Sequence, residues 1–236
     1  MIPIPLNDNI RRRIFWSATL ALILTNVLAF AFELSQGPQL NRLIFTFALI
    51  PAHYTSPNGF ASNGLGGFFV PVFASMFLHA GWLHLIGNML FLFVFGRSIE
   101  DRYGHFKFLL IYFLSGFVAA ITHIFFNAGS TLPTIGASGA IAGILGAYLV
   151  CFPGARISTL IWVLIFFWRV EIPAVIVLGY WFIIQFVAAS TQQLDIQSAT
   201  QGGTAWWAHV GGFCAGVLLA LVLRPRRPTV EIIPPY

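Results

Sequence analysis

Charge is what this chain has least of: Asp, Glu, Lys and Arg make up 8% of its 236 residues, where a soluble domain carries roughly 25%. That shortage excludes an ordinary soluble domain. Only seven residues are acidic. None stands at the centre of a clear apolar span and no inverted repeat is visible, which argues against a transporter or channel built on intramembrane carboxylates. The two cysteines, Cys151 and Cys214, sit inside apolar runs, so they read as packing residues rather than a disulfide framework or a Cys-x-x-Cys metal site. There is no H-E-x-x-H. A metalloprotease assembled from His79, His84 and His209 would lack its carboxylate base, so neither a metal nor another cofactor is expected. The net charge of +5 comes mainly from arginines at the edges of apolar runs, where orientation signals lie. No basic patch with interleaved aromatics accompanies them, and nucleic acid is not an expected partner.

What the sequence has in excess is hydrocarbon: 58% of residues are hydrophobic and the mean hydropathy is +0.85. This composition predicts an all-α polytopic membrane protein. Six transmembrane helices are expected within residues 14–223, flanked by a segment 1–13 and a tail 224–236. The first runs from Ile14 to about Phe32 behind Arg11, Arg12 and Arg13. Its length and the lack of a clear small-x-small cleavage site favour a span over a cleaved signal peptide. Residues 33–81 are too interrupted by Gly, Pro and Asn to span, yet carry apolar patches, and read as a loop lying partly in the membrane interface. The second helix runs from Trp82 to about Gly96, the third from about Phe108 to Phe126, and a charged connector, Arg97 to Lys107, is expected to hold the turn between them in water. A fourth helix starts at Ser138 and reaches about Phe152. The stretch from Ala155 to Ala189 exceeds one span and is interrupted by Arg169, Glu171 and Pro173. It is divided into a membrane-dipping or interfacial piece, Ile157 to Trp168, and a fifth helix, Ile172 to Ala188. A polar loop, Ser190 to Thr204, leads to a sixth helix that ends at Leu223 before Arg224, Arg226 and Arg227.

With six spans both termini share a side, and most Lys and Arg fall there, leaving Arg42 on the other. The positive-inside rule makes the termini cytoplasmic. Helices two, four and six then run inward from the outer face, and each carries a polar side chain in its first turns: His84 and Asn88, Ser138, and His209. Taken singly these residues have bland readings. Ser138 can be a helix N-cap above a packing face, Asn88 can glue helices together, and either histidine can be a satisfied core residue. Their convergence at one depth points instead to a hydroxyl activated by an imidazole. A helix start also gathers free N–H groups, so the Ser138 backbone N–H, the Asn88 amide and the His84 ring are candidate donors to an oxyanion. Gly139 with Gly143, and Gly212 with Gly216, form one G-x-x-x-G on each of helices four and six. Docking those faces sets Ser138 beside His209. No acidic residue stands nearby, so the expectation is a Ser/His dyad.

Gly136-Ala137-Ser138-Gly139, the segment Phe77 to Asn88 with His79, His84 and Asn88, and Ala208-His209-Val210-Gly211-Gly212 with Gly216 resemble the signatures of the rhomboid intramembrane serine proteases. The resemblance covers the six-helix body. It implies that Ser138 is the nucleophile, His209 the general base, and His84 with Asn88 the oxyanion donors. It further implies that Glu100 and Arg102 belong to a structural turn after the second helix, and that His79 organises the first loop by hydrogen bonding. Where some members have a tyrosine one turn after the serine, packed on the catalytic histidine, this chain has Ala142; the motifs therefore do not name the group that orients His209. The long first loop also lacks the Trp-Arg pair of some bacterial members.

The expected function is cleavage of transmembrane-helix protein substrates within the lipid bilayer, at a site opening to the outer face. A noncatalytic rhomboid-like binder or chaperone of membrane proteins is the alternative, against which stand the retained serine and histidine. The six-helix form, with a short segment before Arg11 that does not read as a transit peptide, points to a bacterial plasma membrane.

Overall fold

The computed structural model of the chain describes residues 4–56, 59–163, 166–192, 205–226 and 232–233. Most of the expected loop 190–204, together with Arg227, lies outside the described residues. In chain order the elements are β1 (Ile4–Asp8), α1 (Ser17–Ser35), α2 (Leu40–Phe47), α3 (Ala52–Thr55), α4 (Gly59–Ala74), α5 (Trp82–Phe91), α6 (Arg97–Tyr103), α7 (His105–Phe126), α8 (Ser138–Cys151), β2 (Arg156–Val163), β3 (Phe166–Pro173), α9 (Ala174–Gln192) and α10 (Trp206–Val222). A π turn, Leu92–Gly96, joins α5 to α6 in one continuous helix.

Among the described residues, four helical segments, Ser17–Ser35, Trp82–Tyr103, His105–Phe126 and Ala174–Thr191, are long and apolar enough to cross a membrane. Three shorter apolar helices accompany them: Gly64–Phe77, Ser138–Cys151 and Trp206–Val222. The helix that begins at Ser138 is the hub. Every residue from Ala140 to Tyr148 is buried, the pattern of a helix apolar on all sides and enclosed by others. Its glycines let the neighbours close in. A Cβ on Gly143 would run into the Ser115 side chain of α7, one on Gly216 into the Gly143 carbonyl, and one on Gly212 into the Gly139 carbonyl. Backbone thus rests on backbone between α8 and α10.

The all-α expectation needs correction at the end of the bundle away from Ser138. There β1, β2 and β3 form an antiparallel sheet in that order. Ile4 pairs with Leu160, Asp8 with Ile157, and Ile161 with Trp168. The expected membrane-dipping piece, Ile157 to Trp168, is therefore most of a β-hairpin, and the helix behind it starts at Ala174 rather than Ile172. Ile157, Thr159 and Ile161 alternate with other residues, a spacing and branching that suit a pleated strand better than a helix; Ile157 and Thr159 are buried.

A second correction concerns the charged connector. Arg97 to Tyr103 is helical and its acidic side chains are buried rather than in water. Nothing in α1 caps its own first turn. Glu100 does so from α6, accepting from Ala18 N (2.8 Å), Thr19 N (2.7 Å) and Thr19 Oγ1 (2.6 Å). Asp101 accepts from Arg13 N and Ile14 N just before that turn. Two carboxylates at the positive end of α1 satisfy donors that the helix leaves free. Beside them Asp8 pairs with Arg12 and accepts from Ser98 Oγ and Tyr148 OH, which fastens β1 to α6 and α8.

Candidate active site

Ser138 opens α8, preceded by Gly136 at φ 129°, a conformation that side-chain-bearing residues rarely adopt. The lead-in is pinned on both sides: Gly136 N donates to Ser75 O (2.8 Å), and Thr134 and Leu49 exchange backbone hydrogen bonds. His209 lies in the first turn of α10. With the glycine faces docked, its Nε2 stands 2.7 Å from Ser138 Oγ. His84 approaches from α5 so closely that a Cβ on Gly136 would sit 2.8 Å from its Nε2. Ala80 N donates to His84 Nδ1 (3.4 Å), which leaves the ring proton on Nε2, the nitrogen facing Gly136.

Asn88 sits one turn further along α5. It is buried, and its Nδ2 has no partner among the described residues. His79 is buried beside the His84 ring, with centroids 5.1 Å apart. Its backbone N–H donates to the Glu33 carboxylate (3.1 and 3.2 Å) and its Nδ1–H to Phe77 O (3.3 Å). These bonds tie the loop between α4 and α5 to the end of α1. Burial, then the neighbouring His84, push the His79 imidazole down to about 4, so it is neutral at pH 7.

A cavity of about 800 Å³ opens above the serine, lined among others by Ser138, His209, His84 and Gly136. His123 of α7 lines it too, bonded through Nε2 to Thr134 Oγ1 (2.9 Å) and through Nδ1 to Asn127 Nδ2 (3.2 Å). Sequence reasoning passed over His123, although His123 and Asn127 repeat the four-residue spacing of His84 and Asn88. It also passed over Gln185. That residue of α9 is buried, with Oε1 2.6 Å from His209 Nδ1. A lone amide in an apolar run was the available signal.

Such an arrangement holds an imidazole against a hydroxyl at a helix start, with a further imidazole N–H and a free amide on the neighbouring helix. These are the parts of acyl transfer: a nucleophile, a base and donors for a developing negative charge.

A family model described as the Rhomboid domain matches residues 67–226. RHOMBOID-like protein 1 of Arabidopsis thaliana is 30% identical over 159 residues, covering 66% of this chain and 35% of that protein. Rhomboid protein 1, mitochondrial, of Saccharomyces cerevisiae is 28% identical over 202 residues, 84% of this chain and 51% of its own length. Rhomboid protease GluP of Bacillus subtilis is 46% identical over 72 residues, 30% of this chain and 14% of that protein. The chain spans about half the length of the yeast relative and less of the other two.

Proposed function

The chain belongs to the rhomboid family, and from that premise we infer that it is an intramembrane serine endopeptidase that works through Ser138 and His209. The observation that carries this reading is the 2.7 Å approach of His209 Nε2 to Ser138 Oγ at the floor of the cavity. His209 Nε2 takes the hydroxyl proton as Oγ bonds to the substrate carbonyl carbon. Negative charge then builds on the carbonyl oxygen, where the Ser138 N–H, the His84 Nε2–H and the Asn88 amide are the donors. His209 returns its proton to the leaving amine as the peptide C–N bond breaks. Water, deprotonated by the same imidazole, next attacks the acyl-enzyme, releases the new carboxylate terminus and restores Ser138.

The substrates we propose are transmembrane segments of membrane proteins. The 14 residues of α8 rise about 21 Å, less than a hydrocarbon core of roughly 30 Å, which favours a serine below the membrane surface and a cavity that admits water from one side. The first loop and α9 border the route by which a substrate helix enters sideways. The Lys and Arg distribution favours cytoplasmic termini and a site opening to the outer face, and a bacterial plasma membrane is the setting we propose.

Labelling of the detergent-solubilised protein with a fluorophosphonate probe tests the assignment. The wild type should label, whereas Ser138→Ala and His209→Ala should not while keeping the wild-type unfolding temperature. A folded wild type that stays unlabelled would turn the reading towards a noncatalytic binder of membrane proteins.

A further inference from the structure

We infer that Gln185 is a positioning residue of the active site, a third member that fixes the tautomer and orientation of His209. The inference rests on the Ser138/His209 reading and answers what holds the ring in place. One turn after Ser138 the chain has Ala142, a buried methyl group too short to support an imidazole. Support comes from α9 instead. Gln185 Oε1 meets His209 Nδ1 at 2.6 Å, and Trp181, four residues earlier on the same face of α9, lays its ring 5.8 Å from the imidazole at an interplanar angle of 38°.

The direction of this hydrogen bond decides its chemistry. When Nδ1–H donates to Gln185 Oε1, Nε2 keeps its lone pair and can accept the Ser138 proton. A reversed amide would donate to Nδ1, force the ring proton onto Nε2 and leave Ser138 without a base. Neutral Gln185 performs the orienting part of what a carboxylate does in a triad, without countering the charge of the imidazolium. Among the described residues, the titratable groups that face His209 across the cavity are His84 on α5 and His123 on α7, and neither reaches Nδ1.

Placement on α9 adds a second consequence. Among the described residues this is the least enclosed of the four long helices, 22% buried against 33–50% in the others. A displacement of α9 large enough to admit a substrate helix withdraws Oε1 from Nδ1, so the orientation of the base depends on where α9 stands.

The test compares fluorophosphonate inactivation rates across pH for the wild type, Gln185→Glu, Gln185→Asn and Gln185→Leu, with thermal unfolding of each in the same detergent. Leucine fills the volume without an acceptor, and asparagine is one methylene short of Nδ1. Both should react about tenfold or more slowly, the rate equivalent of one lost hydrogen bond. Glutamate keeps the acceptor at full reach and should retain the rate, with the acid limb of its profile moved to higher pH because a carboxylate favours the imidazolium. Wild-type rates and an unchanged profile in the leucine and asparagine variants would overturn the role of Gln185 and leave the dyad standing. So would a glutamate variant as slow as the leucine one. If Gln185→Leu does not fold, the contrast between Glu and Asn decides. An unlabelled wild type would bring down the dyad and this inference together.

Discussion

Asn88 is a buried amide whose Nδ2 finds no partner among the described residues, and leaving such a donor unmade costs about 1–3 kcal/mol. In the proposed mechanism, a group kept at that cost one turn from His84 is a donor used only when negative charge develops. Removing one oxyanion donor lowers kcat by roughly 10²- to 10³-fold, so Asn88→Ala should lose about that much turnover while still binding a transmembrane substrate with a similar KM. Unchanged kcat would reassign the amide to helix packing. The polar residues of this site were legible in the sequence to unequal degrees. Ser138, His84 and His209 stand in first turns, beside glycines whose spacing gives away the docked faces. Gln185 lies in the middle of an apolar helix and its partner is 24 positions away, while His123 stands in the last turn of α7 and, besides Asn127 four positions on, bonds Thr134 11 positions away. Residue spacing reports neighbours on one helix, and it is silent on which face of α9 or α7 turns towards the cavity.

Among the elements, the contact between α8 and α10 has the narrowest tolerance. A side chain at Gly216 would overlap the Gly143 carbonyl, which is backbone and cannot swing away. Gly216→Val should therefore destabilise the protein by about 1–3 kcal/mol or more, the usual range for overpacking, and should abolish fluorophosphonate labelling by separating Ser138 from His209. Gly179→Ala on α9 is the matched control, because an added Cβ there meets nothing within 4 Å. It should leave the unfolding temperature equal or higher; a fall as large as that of the Gly216 variant would show that close helix approach is not the cause. Apolar length located the starts of the long helices to within a few residues, since burying hydrocarbon and satisfying backbone groups both demand a helix there. Yet it took residues 33–81 for a loop, where α2 and α4 form, and ended the second helix near Gly96, where it runs on to Tyr103. It misread Arg156 to Pro173, where a hairpin also satisfies its backbone, by pairing with β1. That partner lies 149 to 156 residues away, beyond the reach of any local pattern.

For the molecule as a whole, the proposed proteolysis calls for substrates able to unwind, because an intact helix hides its carbonyls in hydrogen bonds. Replacing Gly, Pro or other small residues near the cleavage site of a model substrate with leucine should slow its hydrolysis, as followed by product bands over time. Equal rates would argue that the protein, rather than the substrate, does the unwinding. The sheet at the opposite end bears on how such a chain is made. Asn9 Oδ1 accepts from Arg156 N, 147 residues later, and Asn9 Nδ2 donates to Ile233 O, 224 residues later. At about 5–20 residues per second of synthesis, Asn9 waits roughly 7–30 s for its first partner and 11–45 s for its second. The helices between them are made during that interval, so the link from Asn9 to Ile233 closes only after every helix from α1 to α10 has been synthesised.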